Sequence, residues 1–228
     1  MYRGLLFIAW VLSGVANAAP SFCPNIYVDN ERPDVAGQEI CFKHFAVVYS
    51  PETKTAVISA ERITGDMVAG AERIGRINAF HSHPSIDAGP IPGDYTRSGY
   101  DRGHMTPAGD MPSLSTQRQT FSMVNMTPQT PELNRVILNS LERGVRENAK
   151  AHGEVYVVTG AVFSEYPNRI GHGVAVPDSI YKAVYIPITG QCEFTVAANN
   201  ATPDIQILTA SQFTRQYGIA PFPHRLCN

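Results

Sequence analysis

One long amphipathic helix, set among strand-like segments, constrains the fold of this 228-residue chain more than any other feature. At its start, Thr130 can cap, Pro131 suits the first helical position, and Glu132 complements the positive end of the dipole. Gly153 marks its end. One apolar face is formed by residues spaced four apart, with Val136 beside them: Leu133, Ile137, Leu141 and Val145.

Strand-like segments lie on both sides of this helix. Residues 44–50 and 54–60 flank Pro51-Glu52-Thr53 and predict a β-hairpin, whereas the Pro- and Gly-rich stretch 84–99 indicates an irregular loop. Further strands are predicted at 155–159, 183–186 and 194–196, and a last helix at about 209–217. Because no repeat, charge block or linker divides the chain, we expect a single α+β domain over residues 19–228, with a central sheet and flanking helices.

The N-terminus has the pattern of an export signal. Arg3 precedes the apolar run 5–12, and Ala16-Asn17-Ala18 gives an Ala-x-Ala cleavage site. Eight apolar residues fall far short of the roughly 20 that span a bilayer. We therefore expect residues 1–18 to be a signal peptide and the mature protein to be exported, periplasmic or extracellular, without stable membrane association.

Cysteine usage agrees with export, because disulfides form in oxidising compartments. The four cysteines include no Cys-x-x-Cys pair, which argues against a cysteine zinc site or redox motif. Four cysteines allow three pairings, and we favour Cys23–Cys41 with Cys192–Cys227 because each joins a terminus to nearby chain. One bridge with two buried thiols stays open as an alternative.

The composition, 43% apolar and 17% charged, is globular, and the net charge is −2. Loss of residues 1–18 removes one positive charge, that of Arg3, and gives −3. A stable nucleic-acid binder usually shows a basic face, so this charge does not advertise one. A catalyst needs only a locally basic groove and benefits from releasing its product.

The segment 100–110 carries the sharpest chemical signal, with Asp101, Arg102, Gly103 and His104 in succession. Arg102 offers a planar fork that suits phosphate oxygens, and Gly103 lets a substrate approach the backbone closely. His104, with an ordinary pKa near 6.5, supplies a base close to neutral pH. A single Arg-Gly-His tripeptide without other matching elements is more often part of an ordinary surface loop.

This segment does not stand alone, and its Asp-Arg-Gly-His sequence resembles the signature of the DNA/RNA non-specific endonuclease family. The similarity continues through Phe121-Ser122-Met123-Val124-Asn125-Met126-Thr127-Pro128-Gln129, Leu133-Asn134 and Leu141-Glu142, and it covers about residues 94–146. The resemblance implies a ββα-metal active-site motif and an endonuclease that hydrolyses phosphodiester bonds in DNA and RNA, with Mg²⁺ as cofactor and Mn²⁺ as a substitute.

The resemblance also implies roles for particular residues. His104 is the general base, Arg102 steadies the phosphate, and Asn134 binds a hydrated Mg²⁺. Support of the metal's waters, or of the groups that orient them, falls to Asn125, Gln129 and Glu142. Arg146 either reaches a substrate phosphate or pairs with Glu142, and Asp101 is expected to orient the local backbone.

Two points around this motif need the structure. Leu138 stands where family members commonly carry tryptophan, which predicts altered packing one turn from Asn134. A further substrate-binding arginine cannot be aligned, although the chain offers four candidates: Arg62, Arg73, Arg76 and Arg97.

Two other functions compete with the nuclease hypothesis. His81-Ser82-His83 followed by Asp94 resembles part of the zinc motif of JAMM metalloproteases, and two imidazoles with a carboxylate are sensible zinc ligands. The serine of that motif falls at Ile91, which disfavours a zinc peptidase. The second alternative is a nucleic-acid-binding module that keeps the scaffold without catalysis. The remaining histidines are expected to be structural or exposed: His44, His152, His172 and His224.

Overall fold

The computed structural model describes residues 19–227, so the proposed signal segment 1–18 lies outside the described residues. Within that range no helix is long and apolar enough to cross a membrane. The α-helices are α1 (Gly65–Ala71), α2 (Leu114–Thr120), α3 (Asn139–His152) and α4 (Ala210–Tyr217). The strands are β1 (Ala19–Pro20), β2 (Glu31–Arg32), β3 (Gln38–Cys41), β4 (Phe45–Ser50), β5 (Thr55–Thr64), β6 (Asp101–His104), β7 (Met126–Gln129), β8 (Glu154–Val162), β9 (Arg169–Ile170), β10 (Val174–Ala175), β11 (Ser179–Ile186), β12 (Gln191–Ala198) and β13 (Ile205–Leu208).

A seven-stranded antiparallel sheet forms the centre of the fold, in the order β13-β12-β11-β8-β5-β4-β3. The predicted hairpin is confirmed as β4 and β5, and the three predicted later strands are confirmed as β8, β11 and β12, each longer than expected. The predicted last helix is α4, which Thr209 caps by accepting a hydrogen bond from the Gln212 backbone. Together these elements confirm the α+β class.

Both faces of the sheet are buried, as alternate residues of β11 demonstrate. Tyr181 packs on one face against Phe213 of α4, while Val184 packs on the other in a cluster with Val145 of α3. Burying one such large side chain contributes about 1.5–3 kcal/mol. The sheet therefore lies between α4 on one side and the long helix on the other, and the long helix carries the proposed site residues.

The long helix begins as predicted but is not a regular α-helix throughout. The Thr130 side chain accepts a hydrogen bond from the Leu133 backbone, and residues 133–138 form a π-helical segment that runs directly into α3. Its i→i+5 bonds widen the turn and shift the buried face. The predicted apolar face is consequently wrong at Val136, which is 50% exposed, whereas Leu138 is buried.

Two disulfides tie the ends of the described chain to the sheet. Cys23 bonds Cys41, and Cys192 bonds Cys227, which confirms the favoured pairing. The predicted irregular loop 84–99 is confirmed, apart from a short 3-10 turn at Pro92–Tyr95. Neither disulfide involves residues 94–146, so the bridges lie apart from the proposed site in sequence.

Candidate active site

A small hairpin and the long helix build a ββα unit around one cleft. Strand β6 pairs antiparallel with β7, and the helix follows after Thr130. Because alternate strand residues point to the same side, Arg102 and His104 project together from β6. They meet side chains of the helix in a cleft of about 340 Å³, whose polar lining is Arg76, Arg102, His104, Asn134, Arg135, Asn139, Glu142 and Arg146.

His104 is a buried imidazole packed between aromatic rings. Its centroid lies 4.8 Å from that of Phe121 and 5.7 Å from that of Phe80, and its Nε2 has no hydrogen-bond partner among the described residues. Burial, with a smaller contribution from the positive charge of Arg76, lowers the pKa of His104 to about 3. The ring is therefore neutral at neutral pH, the form that can accept a proton.

Asn134 is held in one orientation by a carboxylate. Its Nδ2 donates to Oδ2 of Asp101 at 2.9 Å. Since a carboxylate only accepts hydrogen bonds, the amide nitrogen must face Asp101, and the amide oxygen faces away from it. The expectation that Asp101 orients the local backbone needs correction, because this carboxylate binds the side chains of Asn134 and Arg135.

Two buried amides support the hairpin behind the cleft. Asn125 accepts from the Thr106 backbone at 3.0 Å and donates to the carbonyls of Thr106 and Thr120, which fixes the chain just after His104. Gln129 is fully buried; its Nε2 donates to Thr127, and its Oε1 has no partner among residues 19–227. Whether these amides also orient a metal's waters stays a prediction.

Gly103 is required by close packing rather than by its backbone angles. A Cβ atom at this position would overlap the side chain of Gln129. Any larger residue at 103 would therefore displace Gln129 or separate β6 from β7. The sequence-based role for Gly103 was access for substrate to the backbone, and the structure adds this contact on the protein's own side.

Arg146 pairs with a carboxylate that sequence analysis left without a role. Its Nη1 lies 2.7 Å from Oδ1 of Asp110, so the expected alternative, a pair with Glu142 alone, is wrong. Asp110 is buried, and Arg146 remains partly exposed at the cleft. Ion pairing in this setting fixes the direction of the guanidinium.

Glu142 borders the cleft above a buried charged cluster. Burial raises the pKa of Glu142 to about 7, with the positive charge of Lys182 opposing that rise and the negative charge of Asp110 adding to it. Lys182 is 4% exposed and donates to Thr159 at 2.7 Å, and Glu61 is 2% exposed with one oxygen lacking a partner in the described chain. Burial also raises the pKa of Glu61 well above its usual range.

Among the four candidate arginines, the structure brings only Arg76 into the cleft lining. Arg62 pairs with Glu154 at the far end of β5, and neither Arg73 nor Arg97 lines the cleft. Arg135, which sequence analysis did not consider, does line it and forms a two-pronged pair with Asp101.

The hypothesis of a zinc site at His81, His83 and Asp94 is wrong. Asp94 accepts hydrogen bonds from the Ile91 backbone and from both the backbone and ring of His172. His81 Nδ1 contacts the Ala79 carbonyl, and His83 Nδ1 accepts from the Ser85 backbone. In residues 19–227 no three His, Cys, Asp or Glu side chains are arranged to hold a metal ion.

Several residues of the site were not predicted from the sequence, although the sequence contained a signal for some of them. Lys182 is the single charged residue of the mostly apolar strand β11, and a buried charge within a strand is unusual enough to indicate a special role. Asp110 is the last residue of segment 100–110, which contains the Asp-Arg-Gly-His motif. Phe121 begins the run that resembles the family but was given no role, and nothing local distinguished Phe80, because both rings act through contacts with residues that are distant in sequence.

A hairpin bearing an imidazole, followed by a helix bearing an oriented amide over the same cleft, is the arrangement that the ββα-metal class of nuclease sites predicts. Comparisons with known proteins agree with this class. The chain matches the DNA/RNA non-specific endonuclease family over residues 26–217. The protein therefore belongs to the DNA/RNA non-specific endonuclease family.

The sequence identities to individual relatives are about 30%. The chain is 32% identical over 160 residues to Nuclease C1 of Cunninghamella echinulata var. echinulata, covering 63% of each protein. It is 28% identical to mitochondrial Endonuclease G of Bos taurus, covering 64% of this chain and 53% of that one. A crystal structure of the EndoG/EndoGI complex matches with a TM-score of 0.64 and 25% identity, over 81% of this chain and 85% of the other. The matched region thus spans from about half to 63% of these two relatives' lengths.

Proposed function

We propose that the protein is an exported, Mg²⁺-dependent endonuclease that hydrolyses phosphodiester bonds in DNA and RNA to 5′-phosphate products. The observation that carries this proposal is the shared cleft, in which His104 from β6 and Asn134 from the helix face the same space among several arginines. A base, an oxygen ligand and phosphate-binding guanidinium groups are the parts that metal-assisted phosphodiester hydrolysis needs.

His104 acts as the general base that removes a proton from the attacking water. Its neutral imidazole is ready to accept that proton, and burial keeps it neutral in the free protein. The negative charge of a bound phosphate beside the ring favours the protonated form, so substrate binding strengthens the base where it is needed. The rings of Phe80 and Phe121 pack against the imidazole and limit its movement.

The residues present fit a hydrated Mg²⁺ ion. Asn134 offers an amide oxygen directed away from Asp101, and Mg²⁺ prefers oxygen ligands while keeping several waters. Asn134 would hold the ion, and Glu142, Gln129 and Asn125 would orient its waters or the groups around them. When bound, the ion supplies charge stabilisation at the phosphate and the leaving 3′-oxygen, and Mn²⁺ is expected to substitute.

The arginines of the cleft hold the phosphate. Arg102 and Arg76 line the cleft without any carboxylate partner among the described residues, which leaves their N–H groups available. Arg146 lines the same cleft with its guanidinium direction set by Asp110, so it can contact a neighbouring phosphate through its remaining donors.

Action on both DNA and RNA follows from where the polar groups are aimed. The base, the metal ligand and the arginines all address the phosphodiester, and this chemistry requires neither a 2′-hydroxyl nor a particular base. The two disulfides support export, because such bonds persist in oxidising compartments. The periplasm and the extracellular space both meet that condition.

The test is cleavage of plasmid DNA and of RNA by purified protein in Mg²⁺, with EDTA as the control. His104→Ala should lower the rate about 10²–10⁴-fold on both substrates while the fold is retained. His224→Ala is a matched control, since His224 lies at a different cleft beside Cys192 and Cys227. The DNA products should be substrates for DNA ligase without prior phosphorylation, because the proposed cleavage leaves 5′-phosphate ends.

Two outcomes would contradict the proposal. Binding of DNA and RNA without any cleavage in Mg²⁺ or Mn²⁺ would favour a non-catalytic binding module. Cleavage that persists unchanged in the folded His104→Ala protein would remove His104 from its role as base.

A further inference from the structure

The four arginines of the cleft are held in two different ways. Arg146 and Arg135 are each paired with a carboxylate, at 2.7 Å from Asp110 and Asp101 respectively. Arg102 instead lies over an aromatic ring, with its Cζ 4.3 Å from the centroid of Phe80. Arg76 lies over the ring of Phe121 in the same way, at 5.3 Å.

The two phenylalanines and the imidazole of His104 form one packed group. The Phe80 and Phe121 centroids are 5.0 Å apart, and each ring also contacts His104. Phe121 is fully buried, whereas Phe80 is partly exposed. The backbone next to Phe80 is fixed, because His81 donates to the Phe121 carbonyl at 3.2 Å and accepts from the Met123 backbone at 2.8 Å.

An aromatic face holds a guanidinium differently from a carboxylate. The ring attracts the cation through its quadrupole, leaves the positive charge uncompensated, and leaves the in-plane N–H donors without an acceptor. A carboxylate would neutralise the charge and use two donors in the plane. Arg102 and Arg76 are therefore oriented at the cleft while their donors stay available.

We propose that Phe80 is a positioning residue for phosphate binding, which holds Arg102 by its ring face so that the guanidinium meets a substrate phosphate, and that Phe121 does the same for Arg76. This inference rests on the proposed nuclease function. It adds that the two cleft arginines that have no carboxylate partner among the described residues are oriented by the same aromatic rings that pack against His104. Loss of the partly exposed Phe80 ring should consequently weaken phosphate binding more than it weakens the fold, whereas loss of the fully buried Phe121 ring would also destabilise the fold.

The main test compares Phe80→Leu with Phe80→Tyr. Leucine keeps an apolar side chain but has no ring, whereas tyrosine keeps the ring face. Phe80→Leu should lower kcat/KM on DNA and RNA by about 2- to 30-fold, and Phe80→Tyr should restore most of that loss. Phe42→Leu is the matched control, because Phe42 is a partly exposed ring that stacks on Phe45 and carries no arginine.

A binding measurement provides a readout that a structural role would not move. Fluorescence anisotropy of a labelled DNA duplex in EDTA should show weaker binding by Phe80→Leu. The slope of log affinity against log salt should also become shallower, by up to about one phosphate contact. Thermal unfolding of each variant verifies that the fold is retained.

A double-substitution cycle decides whether Phe80 acts through Arg102. If it does, Phe80→Leu should have little further effect on the salt slope once Arg102→Ala is present. An equal effect in both backgrounds, or a folded Phe80→Leu protein with wild-type binding and kcat/KM, would overturn the inference, as would failure of Phe80→Tyr to restore activity. Absence of cleavage by the wild-type protein would instead refute the proposed function, while the binding arm would still test Phe80.

Discussion

Replacing Asp101 with asparagine isolates the group that orients the proposed metal ligand. The two oxygens of Asp101 accept three N–H donors: Nδ2 of Asn134 at 2.9 Å, and Nε and Nη2 of Arg135 at 2.8 and 2.7 Å. Hydrogen bonds from Arg135 hold the pKa of Asp101 below its usual value in spite of partial burial, so the carboxylate is ionised at neutral pH.

An amide at position 101 has one acceptor oxygen for the same three donors, and its own N–H₂ faces at least one of them. The Asn134 amide nitrogen then competes with the two Arg135 donors for that one acceptor, so the orientation of the Asn134 amide is less firmly held. Removing such a supporting partner typically costs about 10- to 100-fold in metal affinity or activity, or about 1.4–2.8 kcal/mol. Asp101→Asn should therefore raise the Mg²⁺ concentration for half-maximal activity by about that factor.

The assay is plasmid nicking measured against Mg²⁺ concentration for the wild type, Asp101→Asn and Arg135→Met. Arg135→Met removes both guanidinium donors but leaves the bond between Asp101 and Asn134, so its Mg²⁺ requirement should stay close to that of the wild type. An unchanged Mg²⁺ requirement and turnover in folded Asp101→Asn would refute the reasoning. Equal shifts in both variants would also refute it, because the pair with Arg135 would then be responsible.

Two further predictions concern stability. The hydrogen bonds that Asp94 accepts outweigh its burial and lower its pKa, so its ionised form stabilises the fold above the unfolded pKa near 4. Asp94→Asn should lower the free energy of unfolding by about 1–3 kcal/mol at pH 7, as measured by urea unfolding. The difference in unfolding free energy between wild type and variant should decrease as the pH falls through the pKa of Asp94 in the folded protein. A difference that is constant with pH would contradict this prediction. Removal of Cys23–Cys41 or Cys192–Cys227, by serine substitution, should lower the free energy of unfolding by about 3 or about 4 kcal/mol respectively, from the loop lengths closed. Activity below the melting range should be unchanged, and a variant with unaltered thermal unfolding would argue against this stabilising role.

Local signals made much of the fold predictable from sequence. A proline-containing turn between β-branched runs specified the β4–β5 hairpin, and a threonine cap with a terminal glycine bounded the long helix. The π-helical segment was not predictable from a four-residue repeat, because a single i→i+5 insertion changes which residues face the core. For that reason Leu138 is buried and Val136 is half exposed, although Val136 was predicted to lie beside the apolar face.

The cleft was predictable only where its residues lie close together in sequence. His104, Arg102 and Asn134 belong to one contiguous ββα unit, so a motif located them together. Arg76 reaches the cleft from the segment after α1, and Lys182 reaches the buried cluster from β11. Such placements depend on sheet order and on which face of a strand is covered, which neither composition nor spacing specifies.

The chain has a negative net charge, but four arginines line the cleft and concentrate positive charge there. Asp101 and Asp110 form ion pairs with Arg135 and Arg146, whereas Arg102 and Arg76 lie over aromatic rings and form no ion pair within the described residues. At physiological salt the Debye length is about 8 Å, so exposed acidic groups farther away have little influence on a phosphate in the cleft. Positive charge concentrated in the cleft favours binding of the phosphate that reacts there. The more acidic rest of the protein surface is expected to make few contacts with the nucleic acid. We therefore expect the proposed enzyme to bind its substrate mainly at the reacting phosphate and to release its product readily, because the positive charge is concentrated in the cleft.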